Sequence, residues 1–467
     1  MNKNRDLILN GNISKVLFKL SLPIMLGNLI QTLYQLTDAY WVGKLGTEEF
    51  AATVFVWPIV FVMMSFGIGM NIAGTAIISQ YIGADNTKDA KKVAGQIVAF
   101  SFVFSLVLAV VGNVFSPTIL RLLGAEGAMF THANTYLRIV FTGMPTMFVF
   151  FAYQCVKQGQ GDTLTPMILS GISVFSNMIL DPIFILDGYG GLGLGLGVAG
   201  AAWATVISRA IIAVYGVYIL FFKEKLMPLK LSDLKLNIPV MKSIIKVGLP
   251  SSLGQSMEGL GFMFLNAFIL AYGDSTITAF GIGNKINSLV LMPAMGIGSA
   301  LAMVIGQNIG ADNMKRVKEA FRSSIMISCS ILMFGGLIIF SAAPYVVGIF
   351  TEDPVVLEQG VYYLKLISIT IPLMGIFQSF IGTFQGAGKT TWVMLITAGR
   401  LWAIRLPLIW YFAKFTSYGE KTVWYSMVVS NLITCIVGYA FYLNKGWQKK
   451  IIEENNDPDR TERLQAS

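Results

Sequence analysis

One histidine and three cysteines stand in a chain of 467 residues. That scarcity excludes a His/Cys metal centre and a disulfide framework. Cys155, Cys329 and Cys435 each fall inside an apolar run and read as small buried hydrophobes. His132 has no acid–nucleophile constellation around it in the sequence, which argues against an enzyme. Charge is scarce too. Asp, Glu, Lys and Arg make up 13% of the residues, against about 25% in soluble chains. A soluble globule of this size cannot cover its surface with so little polar material.

What is abundant is apolar sequence. The runs at residues 98–115 and 324–343 approach or reach bilayer length, and helices are the default in lipid, because lipid leaves backbone groups no water to bond. The first ten residues are polar, so no cleavable signal peptide is expected. Twelve spans follow from the pattern: 15–42, 51–79, 94–119, 132–156, 164–186, 196–222, 241–271, 277–306, 321–349, 357–385, 391–413 and 421–444. Most lysines and arginines fall on the side that carries Lys3, Lys88, Lys223, Lys315 and Lys445. The positive-inside rule then places both termini in the cytoplasm of a plasma-membrane protein. The net charge of +9 is therefore a topology signal, and no nucleic-acid partner is expected.

The chain also repeats itself. "QYIGADN" at 80–86 returns as "QNIGADN" at 307–313, an offset of 227. The same offset relates Leu22-Pro23 to Leu249-Pro250, Tyr136-Leu137 to Tyr363-Leu364, and "QGQGDT" (158–163) to "QGAGKT" (385–390). The last lacks the first glycine of a phosphate-binding loop, so it reads as a repeated turn. In the "IGADN" turns, Gly83 and Gly310 are expected to permit the bend, with the Asp-Asn pairs bonding the next helix. The chain is thus expected to be an all-α polytopic membrane protein with two homologous six-helix bundles around a central cleft. The expected division is an N-lobe over 1–221, a cytoplasmic linker over 222–240, a C-lobe over 241–445 and a polar tail over 446–467.

Ionisable residues inside spans are functional candidates. They are Asp38, Asp181, Arg209, Glu258, Lys285, Arg400 and Arg405. The repeat sorts them. Asp38 maps onto Leu265, and Asn177 and Asp181 map onto Ile404 and Leu408, so the two acids belong to one half only. Asn177 and Asp181 are four apart and share a helix face. With Thr205 and Tyr136 near the same depth, these oxygens suit a hard cation such as Na⁺. They suit a proton equally, because paired buried carboxylates resist double ionisation. The competing reading pairs each acid with a base such as Arg209. Glu258, beside Gln255, is a candidate second site or a buried acid in a pair with Arg400 or Arg405.

The stretches "LPIMLGNLIQTLYQLTDAYWVGKLG", "QYIGADN", "QGQGDTLTP" and "GLPSSLGQSMEGLG" resemble the multidrug and toxic compound extrusion (MATE) family over about residues 10–445. The resemblance implies an antiporter that exports organic cations and drugs in exchange for Na⁺ or H⁺. It uses no other cofactor and is expected to work as a monomer. The pattern is similar to the DinF-like branch, whose ion site would here comprise Asp38, Asn177, Asp181, Tyr136 and Thr205. The NorM-like alternative requires a seventh-span Glu, matched by Glu258, and a tenth-span Asp. Met374 stands where that Asp would be. A flippase for lipid or lipid-linked oligosaccharide, of related architecture, is the alternative function; it would need a more cationic cavity.

Overall fold

The computed structural model describes residues 3–452, and among them the chain is helical almost throughout. A short helix, α1 (Lys3–Asn10), precedes α2 (Ile13–Gly43), α3 (Thr47–Gly83), α4 (Thr87–Leu122), α5 (Gly127–Gly159), α6 (Leu164–Ile185) and α7 (Gly197–Tyr218). After the linker come α8 (Ile238–Leu270), α9 (Asp274–Gly310), α10 (Met314–Gly348), α11 (Pro354–Gly386), α12 (Thr390–Ala398), α13 (Leu406–Phe415) and α14 (Lys421–Leu443). A π-helical segment, Gly399–Arg405, joins α12 to α13, so the three form one continuous rod. The twelve expected spans each find their helix. Eleven are long and apolar enough to cross a membrane; α8 has the length, but Gln255, Glu258 and Asn266 dilute its apolar run. Leucine, valine and phenylalanine lie exposed along α4 and α10, as on helices that face lipid.

The chain folds as two compact units. One comprises residues 26–252, called here the N-lobe. The other comprises residues 3–25 with 253–452, called here the C-lobe. Each of α2 and α8 therefore begins in one unit and ends in the other. The expected boundaries at 221 and 241 miss this exchange, because the apolar pattern of one unbroken helix does not say which neighbour each half packs against.

Within the N-lobe, α5 is central, packing on α3, α4 and α7, around Val56, Leu137, Phe141 and Phe148. Within the C-lobe, its counterpart α11 packs on α9, α10 and α14. There the sequence carries Gly382-x-x-x-Gly386, and small residues let membrane helices approach closely. A Cβ on Gly382 would stand 2.2 Å from the Gly298 carbonyl oxygen, and one on Gly386 2.2 Å from that of Ala302.

The repeated turns have one geometry. The left-handed position is held by Asp85 and Asp312, both at φ 59°, and Gly83 and Gly310 are the last helical residues instead. Asp visits this region at modest cost. Asn86 Oδ1 then accepts from Asp89 N at 3.1 Å and Asn313 Oδ1 from Arg316 N at 3.2 Å, capping α4 and α10. In "QGQGDT" and "QGAGKT" the positive φ does fall on glycine, at Gly161 (81°) and Gly388 (70°).

The linker is bound. Gln96 donates from Nε2 to the Asp233 and Lys235 carbonyls (3.1 and 2.7 Å), and its Oε1 accepts from Asn237 N at 2.7 Å. Lys91 pairs with Asp233 at 3.2 Å, and Lys157 with Glu224 in a buried pair. In the C-lobe, α1 docks on α9, buries Ile8, and Arg316 donates to the carbonyls of Ile8 (2.9 Å) and Gly11. The two segments are copies of each other. Asp6-Leu7 and Leu9-Asn10 recur as Asp233-Leu234 and Leu236-Asn237 at the same offset of 227. The expected polar tail also starts as packed structure. Trp447 is buried and donates to the Tyr442 carbonyl at 2.9 Å, and Lys450 pairs with Asp312 at 2.5 Å. The rest of the tail lies outside the described residues.

Candidate functional site

In the N-lobe, α6 presents Asn177 and Asp181 on one face, one turn apart, and both are fully buried. Asn177 Nδ2 donates to Asp181 Oδ1 at 3.0 Å. That bond leaves Asp181 Oδ2 and Asn177 Oδ1 buried without a hydrogen-bond partner. Asp38 on α2 presents a third such atom, Oδ1. Asp38 and Asp181 lie within electrostatic range of each other, and Tyr136 and Tyr34 lie within range of both. The structure therefore brings Asp38, Asn177, Asp181 and Tyr136 into one cluster.

Thr205 joins it indirectly. Its Oγ1 is hydrogen-bonded to the Tyr34 hydroxyl at 2.8 Å. Tyr34 went unnoticed in the sequence. The signal that finds it is its position four residues before Asp38, on the same face of α2. Tyr136 recurs as Tyr363 in the other half, so its place in the packing is shared, while the acids are not.

No basic residue pairs with either acid within 4.0 Å among the described residues. Arg209 lies within range of Asp38, but its Nη1 donates to Met147 Sδ at 2.9 Å and its guanidinium sits 5.9 Å from the Tyr34 ring. The three unbonded atoms are all acceptors, and all are oxygens. A buried acceptor left unmade costs about 1–3 kcal/mol, and a hard cation or a proton removes that cost. The helices α2 and α6 also line an open apolar groove of about 630 Å³, with Leu33, Leu36, Thr37, Tyr40, Phe175 and Met178 on its walls; none of the cluster's residues lines it.

The C-lobe holds the opposite charge. Gly261 on α8 lies against Leu401, and Trp402 Nε1 donates to the Met257 carbonyl at 2.8 Å. This close approach lets Arg400 Nη2 meet Glu258 Oε1 at 2.7 Å, with the guanidinium 4.6 Å from the Phe377 ring. Glu258 is thus held in an ion pair, and Gln255 is half-buried outside it. Arg405 donates from Nε to Ser430 Oγ (3.0 Å) and from Nη2 to Asn431 Oδ1 (2.9 Å). Lys285 is exposed in α9 and forms no ion pair among the described residues.

A model of the MatE family matches residues 23–183 and again residues 250–411. The two matches begin 227 residues apart, at Pro23 and Pro250. The probable multidrug resistance protein YoeA of Bacillus subtilis is 30% identical over 445 residues, which cover 92% of this chain and 93% of that protein. The probable multidrug resistance protein NorM of Thermotoga maritima is 27% identical, over 94% of each. Among solved structures, the outward-facing conformation of a multidrug resistance MATE family transporter is similar with a TM-score of 0.87 and 27% identity, over 93% of this chain and 96% of that one. Two family matches at the internal offset, one on each of two homologous halves, identify the chain as a member of the MatE (MATE) family of membrane transporters, and not an enzyme.

Proposed function

We propose that the chain is a multidrug efflux antiporter, exporting organic cations in exchange for Na⁺ or H⁺ by alternating access. The observation that carries this is the set of three buried oxygens on Asp38, Asn177 and Asp181, all without a hydrogen-bond partner and, among the described residues, with no base within 4.0 Å of either acid. Such a set of acceptors suits one cation bound by all three oxygens, or a proton held on one of the carboxylates. The names of the relatives, multidrug resistance proteins, support the substrate class. The open apolar groove between α2 and α6 suits the body of a lipophilic cation, with Tyr40, Trp41 and Phe175 on its walls for the charge.

On this reading the ion enters from outside and binds Asp38 and Asp181, and α2 repacks. Pro23 inside α2 removes one helical hydrogen bond and offers the bend. Ion and drug compete for the outward-facing state, so the inward ion gradient drives export. The lysine bias supports cytoplasmic termini in a plasma membrane, and a monomer suffices because each lobe supplies its site from its own helices.

Ethidium efflux from energised vesicles, under Na⁺ and pH gradients imposed separately, tests the proposal. Either gradient should drive efflux, and Asp38→Asn and Asp181→Asn should each abolish it. Efflux that survives both substitutions refutes the N-lobe site. Failure of both gradients to move any cationic drug points to the flippase.

A further inference from the structure

The two lobes carry opposite sets of unused hydrogen-bonding atoms on equivalent helices. In the N-lobe, α6 offers unbonded acceptors from Asn177 and Asp181, spaced four apart as an α-helix requires to share a face. The C-lobe equivalent is α12–α13, and it carries two arginines, Arg400 and Arg405, spaced five apart. Five residues would diverge on an α-helix. The π-helical segment Gly399–Arg405 closes its turns at i→i+5 and brings them to one side. π-Segments of this kind concentrate at functional sites.

Both arginines are 5% exposed. Against their two positive charges the cluster holds one carboxylate, Glu258. Among the described residues Arg405 bonds to neutral partners, Ser430 and Asn431. Arg400 Nε is buried and donates to nothing. Glu258 reaches Arg400 with a side chain that is 26% exposed, so it is the edge of the cluster open to exchange.

We infer that the C-lobe holds a binding site for an anionic substrate group, a carboxylate or a phosphate ester oxygen, built on Arg400 and Arg405. Glu258 occupies it in the resting state and leaves when a substrate anion arrives. Planar guanidinium groups hold carboxylate and phosphate in two bonds, which a lysine cannot reproduce. The inference rests on the efflux reading above.

Norfloxacin, a zwitterion with a carboxylate, is compared with its methyl ester and with ethidium, which lack one. Efflux of all three is measured for wild type, Arg405→Gln, Arg405→Lys and Arg400→Gln. The inference predicts about a tenfold fall for norfloxacin alone in the Gln variants, with Arg405→Lys recovering part of it. Equal loss for all three compounds assigns the arginines a purely structural role and overturns the inference. So does norfloxacin efflux that follows chloride in the medium and ignores the carboxylate. Ethidium efflux in the wild type reports the antiport reading separately. If the arginine variants do not fold, equilibrium binding to Glu258→Gln decides. Norfloxacin should bind more tightly and its ester unchanged; unchanged norfloxacin affinity overturns the inference.

Discussion

Replacing Glu258 by Ala leaves Arg400 charged in a site where its side chain is 6% exposed. Removing one partner of a buried pair costs about 3–5 kcal/mol. Two features reduce that here. Glu258 is itself about a quarter exposed, and Phe377 still faces the guanidinium at 4.6 Å, a contact of ~1–2 kcal/mol. The net expectation is roughly 2–3 kcal/mol, or a midpoint lower by about 5–10 °C for a unit of about 200 residues. Arg400→Met should cost less, ~1 kcal/mol, because the stranded carboxylate can reach solvent. The double variant Glu258→Ala/Arg400→Met should recover most of the loss. A thiol-reactive dye reads the transition, since Cys155 and Cys435 are free and buried until the protein unfolds. Losses that simply add in the double variant, or an Arg400→Met effect larger than that of Glu258→Ala, refute the reasoning.

The remaining predictions concern the cytoplasmic segments and turns. Gln96→Ala removes three hydrogen bonds to the linker, worth ~1 kcal/mol each, and should speed proteolysis between Met227 and Asn237. Gly388→Ala forces an L-residue to φ +70° and sets its Cβ 1.9 Å from Ile451 Cδ1, so it should fold poorly by size-exclusion profile. Gly161→Ala, at φ +81°, should cost about 1 kcal/mol of stability, read as a lower thermal midpoint.

The membrane helices were legible because each is an apolar run of bilayer length, and the repeat fixed their pairing across the halves. Asp38, Asn177 and Asp181 were legible because carboxylates and amides are rare in such runs and the last two share a face. Tyr34 was not, because an aromatic on a membrane helix has the same pattern whether it packs or binds. The π-segment has no sequence signature, so the facing of Arg400 and Arg405 could not be derived from their spacing. The exchange of α2 and α8 between units was hidden for the same reason: unbroken apolar sequence carries no mark of its neighbour. The Asp-Leu-x-Leu-Asn repeat at 6–10 and 233–237 places the linker inside the duplicated unit. The "IGADN" motif marks a turn, but which residue takes the left-handed position does not follow from it, since glycine is the usual holder and Asp the less common one.

The central claim is that Asp38, Asn177 and Asp181 bind the coupling ion. The most direct measurement is the thermal midpoint of the purified protein against Na⁺ at constant ionic strength, and against pH, in the wild type and in Asp181→Asn. A ligand that binds only the folded state stabilises it by about 2.7 kcal/mol at a hundred times its dissociation constant. The account predicts that Na⁺ or acid raises the wild-type midpoint and that Asp181→Asn loses this response. An identical response in the two proteins would contradict it.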